Sequence, residues 1–238
     1  VASHFILIAG AWHGSWCWKR VAPLLRAQGH RVDTPQLPAM GADNGDPRQV
    51  TLSSWARFVA DLVAAAPEPV VLVGHSRAGV VISQAAELVP DRIRRLVYLA
   101  AYLLPSGRTM AAEALADPDS LVAPNMVPAD SGVTCTLRAD VIREAFYTRC
   151  TEADAAWATA QVRPEPLKPL VTSPRVTAES FGRVPRAYIE CTADRAVSLG
   201  SQRRMQAALP CDPVFTLDAD HSPFISCPAE LAELLGRL

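Results

Sequence analysis

Four consecutive apolar residues, Val70-Val-Leu-Val73, run straight into Gly74-His-Ser-Arg-Ala-Gly79, and a helical pattern then continues to about Leu88. A short apolar run bounded by glycine reads as a buried strand. The strand therefore turns into a helix through a Gly-x-Ser-x-small corner. Such a corner is tight, so the neighbours of the serine must be small. Gly74 meets that demand on one side; on the other the strict pattern asks for glycine, and this chain has Ala78 followed by Gly79. A strand end with a serine helix cap would explain Gly74-His-Ser alone. The buried strand before it and the helix after it favour an exposed nucleophile at Ser76.

The rest of the chain supplies a frame for that corner. Phe5-Ile-Leu-Ile-Ala9 reads as a buried strand, followed by a helix over about 16–28 and a strand within 31–37. Residues 40–50 hold Gly, Asp, Asn and Pro and read as a loop. A helix over 51–66 carries Leu52, Trp55, Phe58, Val59, Leu62 and Val63 on one face, with Thr51 or Ser53 as its cap. Residues 94–101 form a further strand. Alternating strands and helices predict a parallel sheet with right-handed crossovers.

That alternation stops at Leu103. Residues 103–183 are proline-rich, show little strand character and carry short helical pieces at 139–149 and 152–161. They are expected to form a helical cap over the carboxyl edge of the sheet. Strand and helix resume at 186–191, 199–208, 213–217 and 229–238. The expected organisation is a core of 1–102 and 184–238 interrupted by a cap insertion, 103–183. No internal repeat is visible.

A serine hydroxyl needs a base to take its proton and an acid to orient that base. Of the five histidines, only His221 lies beyond the interrupting segment, in Asp218-Ala-Asp-His-Ser-Pro after the last strand. Asp194 follows the 186–191 strand, whereas Ala100-Ala-Tyr-Leu-Leu104 after the preceding strand offers no carboxylate. Glu190 lies within its strand, and Asp218 and Asp220 adjoin the base and are assigned to shaping its loop. Ser76, Asp194 and His221 thus stand in the order nucleophile, acid, base that this strand arrangement requires. Two backbone N–H groups, of Ala11 after the first strand and of Arg77 after the serine, are the expected oxyanion hole. The Arg77 side chain is expected to pair with a carboxylate of the cap, an acidic substrate being the alternative. Trp12, Tyr102, Phe146 and Trp157 are the candidate substrate-binding aromatics.

Ile8-Ala-Gly-Ala-Trp-His-Gly-Ser-Trp-Cys-Trp18, Gly74–Gly79, Cys191-Thr-Ala-Asp194 and Asp220-His221 together resemble the plant methylesterase and hydroxynitrile lyase group and its bacterial esterase relatives. The likeness extends more weakly to Phe146-Tyr and Arg163-Pro-Glu-Pro-Leu. It implies an α/β-hydrolase fold: a mostly parallel central sheet flanked by helices, with an inserted helical cap over a buried, mostly apolar pocket. It supports the same triad and the same two backbone donors. This chain departs from the group at Ala9, where a histidine is usual, and at Trp12, where a small residue is frequent. The lyase members resemble one another in a threonine of the first-strand loop and a lysine after the catalytic histidine. Gly10 and Ser222 occupy those places here, so nothing is positioned to stabilise departing cyanide.

The expected function is therefore hydrolysis of a small or medium, largely apolar carboxylic ester by a carboxylesterase-type serine hydrolase. Lactone or thioester hydrolysis, lyase chemistry and a non-catalytic ligand-binding role are the alternatives. No HxH, HExxH, CxxC, GxGxxG or Walker A spacing is present, so neither metal nor cofactor is expected. A net charge of −1 without basic runs gives no expectation of nucleic acid or an anionic membrane as partner. No apolar run approaches the roughly 18–20 residues of a membrane span. The first residues lack the order of a signal peptide. The six scattered cysteines read as reduced thiols, with a Cys135–Cys150 bridge the minor alternative. The cytoplasm is the expected compartment, a small-molecule ester the expected partner, and a homodimer is left open.

Overall fold

The computed structural model describes residues 2–238. Its first four strands, β1 (His4–Ile8), β2 (Arg31–Asp33), β3 (Val70–His75) and β4 (Ile93–Leu99), enter one sheet. Three short strands follow, β5 (Met126–Ala129), β6 (Thr134–Leu137) and β7 (Glu165–Pro166), which pair antiparallel in a sheet of their own. The chain then returns to the main sheet as β8 (Arg186–Cys191) and β9 (Val214–Leu217). The main sheet has the order β2-β1-β3-β4-β8-β9, and every pairing in it is parallel. Central parallel strands are covered on both faces, which is why β1 and β3 are apolar runs rather than alternating ones.

The order reverses at β1, which lies between β2 and β3. Such a switch point opens a crevice at the carboxyl ends of the strands. Register pairs Ile8 with Gly74, so the loop beginning at Ala9 and the corner that follows His75 leave the sheet side by side.

Local chemistry sets the helices. The 16–28 expectation resolves into a 3-10 turn, Ser15–Lys19, and α1 (Val21–Ala27), with Pro23 in the first turn of α1, where a missing N–H is tolerated. Strand β2 stops at Asp33 because Pro35 cannot donate to a ladder. In α2 (Leu52–Ala65) Thr51 and Ser54 form a reciprocal capping box. Leu52, Trp55, Val59 and Val63 bury its inner face, and Pro67 follows its end. Helix α3 (Ala78–Leu88) is buried along most of its length behind β3.

The 103–183 segment holds α4 (Met110–Leu115), α5 (Ala139–Phe146), α6 (Glu152–Gln161) and α7 (Leu167–Val171) around the antiparallel sheet. That sheet corrects the expectation of a strand-poor segment. Its strands are two to four residues long and two of them contain proline, too short for a period-2 pattern to register. Helices α8 (Leu199–Ala208), α9 (Pro223–Ser226) and α10 (Pro228–Gly236) complete the chain. Among the described residues no helix is long and apolar enough to cross a membrane. All six cysteines are unpaired, Cys135 and Cys150 included.

Candidate active site

Ser76 occupies the corner between β3 and α3 with φ of +53°, in the left-handed region that a side chain rarely adopts. Three backbone bonds hold it there. Its N–H donates to Leu99 O at 3.1 Å, and its carbonyl accepts from the N–H groups of Gly79 and Tyr102, both at 3.0 Å. Strain of this kind persists only when the surroundings over-determine it. Gly74 makes the corner sterically feasible, since a Cβ there would lie 2.9 Å from the carbonyl carbon and oxygen of Ala78. Ala78 itself is fully buried, so its methyl group fits where the strict pattern has glycine.

His221 leaves the end of β9 in a loop fixed by its neighbours. Asp220 accepts from Ser222 N (3.1 Å), Ser226 Oγ (2.9 Å) and Arg149 N (2.8 Å). Burial raises the Asp220 carboxyl above its ordinary value. Asp218 pairs with Arg149 at the surface. Both carboxylates thus shape the loop rather than face the imidazole nitrogens.

Asp194 lies just beyond β8, and its Oδ2 is 2.7 Å from His221 Nδ1. The other oxygen accepts from Ala196 N (2.7 Å) and Val197 N (2.9 Å), so the turn after Asp194 fixes the carboxylate. Gln202 braces that turn: it accepts from Cys191 N at 3.0 Å and donates to Val197 O at 2.8 Å. The Asp194 side chain is fully buried and His221 nearly so, which strengthens their pairing relative to water.

Ser76 and His221 face one cavity, lined with them by Ala11, Trp12, Tyr102 and Phe146 and by apolar residues from α4 and α7. Lysine, arginine and carboxylate side chains are absent from its lining among the described residues. Trp157 lies elsewhere. Helix α6 turns Ala155 and Ala158 inward, which leaves Trp157 off the buried face, packed edge-on against Trp16 with Lys19 Nζ 3.2 Å from its ring centre.

Ala11 follows the end of β1, and Arg77 follows Ser76 at the adjacent end of β3. Among the described residues neither backbone N–H has a protein acceptor. The Arg77 side chain turns away from the cavity into full burial. Its Nε donates to Glu165 Oε1 at 2.7 Å and its Nη2 to Gly10 O at 3.0 Å, with the guanidinium 4.3 Å from the Trp55 ring centre. The expected carboxylate partner is therefore Glu165 of β7.

Two histidines that carry no role in the sequence pattern bond to backbone carbonyls of His221 and Ala11. His75 Nε2 donates to His221 O at 2.8 Å, and burial drives its pKa well below the ordinary value. His13 Nδ1 donates to Ala11 O at 2.7 Å, and its Nε2 accepts from the Tyr147 hydroxyl at 2.9 Å. Burial lowers the His13 pKa to about 3, so the ring is neutral and can serve both bonds. Neither histidine was separable by sequence from an ordinary core residue, because both partners are distant in the chain or are backbone atoms. No cluster of three or more His, Cys, Asp or Glu side chains suited to a metal ion occurs among the described residues.

With this geometry in hand, similarity to known proteins is specific. The model of the alpha/beta hydrolase family matches residues 5–234. Esterase PIR7B of Oryza sativa subsp. japonica is 33% identical, over 99% of this chain and 95% of that protein. Putative methylesterase 11, chloroplastic, of Arabidopsis thaliana is 29% identical over 98% of this chain, which spans 63% of that longer protein. The crystal structure of a pyrethroid hydrolase from Sphingobium faniae JZ-2 superposes with a TM-score of 0.86 at 31% identity, covering 100% of this chain and 97% of that one.

Proposed function

The chain belongs to the alpha/beta hydrolase family, in the plant methylesterase-like group with its bacterial esterase relatives, and on that premise we propose that it cleaves neutral, largely apolar carboxylic esters through Ser76, His221 and Asp194. It is a carboxylesterase-type hydrolase. The observation that carries the finer reading is the convergence on one apolar cavity of a strained serine and a histidine bonded at 2.7 Å to a buried aspartate.

In this mechanism the 103–183 segment acts as a cap, and the ester carbonyl sits above Ser76. His221 takes the serine proton as Oγ attacks the carbonyl carbon. Asp194 holds the Nδ1–H tautomer, which leaves Nε2 free to act as base, and it stabilises the imidazolium that forms. The oxygen of the tetrahedral intermediate takes its negative charge towards the N–H groups of Ala11 and Arg77. His221 returns the proton to the leaving alcohol, and an acyl-serine remains. Water then repeats the sequence and releases the acid. The uncharged lining supports a neutral substrate, because an unpaired carboxylate or ammonium would lose its hydration without a partner. Trp12, Tyr102 and Phe146 are the aromatic surfaces for the acyl or alcohol group.

The test is pre-steady-state hydrolysis of 4-nitrophenyl butyrate. A burst of nitrophenolate equal to the enzyme concentration, abolished in Ser76→Ala, is expected. Turnover unaffected by Ser76→Ala overturns the serine mechanism. Binding of ester without burst or turnover favours a ligand-binding protein. Cyanide release from mandelonitrile above the uncatalysed rate favours lyase chemistry.

A further inference from the structure

We infer that the buried Arg77–Glu165 pair is a positioning device for the oxyanion hole. The inference rests on the acyl-transfer reading above.

Gly10 C=O and Ala11 N–H are the two ends of a single peptide unit. A trans peptide is planar, so fixing the carbonyl fixes the direction of the N–H. Arg77 Nη2 donates to that carbonyl at 3.0 Å. The charged donor also draws electron density towards the oxygen and makes the N–H at the other end a stronger donor.

The next peptide is held by the other member of the pair. Glu165 Oε2 accepts the Trp12 N–H at 3.0 Å while its Oε1 takes Arg77 Nε at 2.7 Å. Trp12 has φ of +60°, a conformation that a tryptophan does not hold unaided. Its carbonyl accepts from Arg163 N at 3.1 Å, so the segment leading into β7 grips this residue at both its N–H and its carbonyl. Arg77 contributes twice: its backbone N–H is one proposed donor, and its side chain aims the other. One carboxylate from the 103–183 segment thereby ties the loop after β1 to the corner after β3.

A bland alternative is that the pair only fastens this segment to the core. Buried ion pairs are weak evidence for stability, since apolar replacements of similar volume are frequently neutral. Both side chains here are fully buried, and four of their polar atoms are committed to the geometry around Ala11. A mere fastener needs no contact with the Gly10–Ala11 peptide. Arg77 and Glu165 do not touch the reacting atoms and are positioning residues.

The experiment compares Arg77→Lys and the neutral double variant Arg77→Met/Glu165→Gln with the wild type. Lysine keeps the charge opposite Glu165 but has one nitrogen for two acceptors. Three quantities are measured: kcat and KM for 4-nitrophenyl butyrate, Ki for a trifluoromethyl ketone that forms an anionic adduct with Ser76, and active sites titrated by a fluorophosphonate. Loss of an interaction made only in the transition state lowers kcat and leaves KM in place. The expected result is a fall in kcat per titrated site of about 10- to 100-fold, KM within about twofold, and a Ki weakened in parallel with kcat/KM. If kcat per titrated site and Ki stay within about twofold of wild type, the pair is a strut and the inference fails. It fails equally if neither variant folds, because the pair is then first a requirement of the fold. Absence of labelling and of turnover in the wild type would instead overturn the hydrolase mechanism itself.

Discussion

His75 immediately precedes Ser76 in the chain, yet its Nε2 donates to the backbone carbonyl of His221, 146 residues away, at 2.8 Å. The corner that carries Ser76 therefore also holds the loop that carries His221, the proposed base. Burial keeps His75 neutral, and Nε2 carries the proton because a carbonyl can only accept. Replacing His75 by leucine leaves that carbonyl buried without a donor, at a cost of about 1–3 kcal/mol. The expected outcome is a lower urea midpoint together with reduced kcat. His75→Gln retains an N–H donor and recovers part of both. Equal stability of the leucine and wild-type proteins would contradict this role.

Asp194→Asn keeps the size of the side chain but presents the wrong hydrogen-bonding partner to His221 Nδ1. The imidazole then loses the tautomer that leaves Nε2 free. A fall in kcat of up to about 10⁴-fold is expected, with the fold intact, since a triad aspartate contributes on that scale. Steady-state kinetics with circular dichroism as the folding control measures it, and a loss below about tenfold would assign orientation of the base to another group.

His13 gives stability a defined pH dependence. Its pKa is about 3 in the folded protein against an ordinary 6.5, so between these values the unfolded chain binds the proton and the folded one does not. Stability therefore rises with pH across that window and is lost as pH falls from 6.5 towards 3. Other buried groups superimpose their own slopes, and Glu165, raised by burial, has the opposite sign. The difference between wild type and His13→Asn isolates the histidine. That difference should change by about 1.4 kcal/mol per pH unit in the middle of the window. Urea unfolding at several pH values reads it, and parallel curves for the two proteins would show His13 to be protonated when folded.

Ala114 lines the cavity from α4 with a side chain that is almost fully buried. Ala114→Phe fills space that a long acyl chain would use. The kcat/KM ratio of 4-nitrophenyl octanoate to acetate should fall by about tenfold or more, as pocket volume discriminates by one or a few methylenes on that scale. Trp157→Ala, outside the cavity, should leave the ratio unchanged. The reverse pattern would relocate the acyl site.

Each proposed catalytic group carries a local signature, which is why sequence alone picks it out. Ser76 sits in a glycine-flanked corner between an apolar run and a helix, and Asp194 and His221 each follow the end of a strand. The central strands of a parallel sheet are apolar runs joined by crossovers, so the fold class and the order of these groups are written in periodicity and spacing. The strands of the interrupting segment are not, because two to four residues carry no period.

The supports of the site are a different matter. Arg77 meets Glu165 across 88 residues, and Trp12 meets the same carboxylate across 153. Trp157 has the composition of a pocket aromatic and Glu165 that of an ordinary surface carboxylate. Only packing turned the first outward and buried the second. Sequence determined which candidate groups lie at the carboxyl ends of the strands, since that follows from local pattern. Tertiary structure alone decided what aims them, since a buried hydrogen bond depends on which distant segments the fold brings within 3 Å of each other.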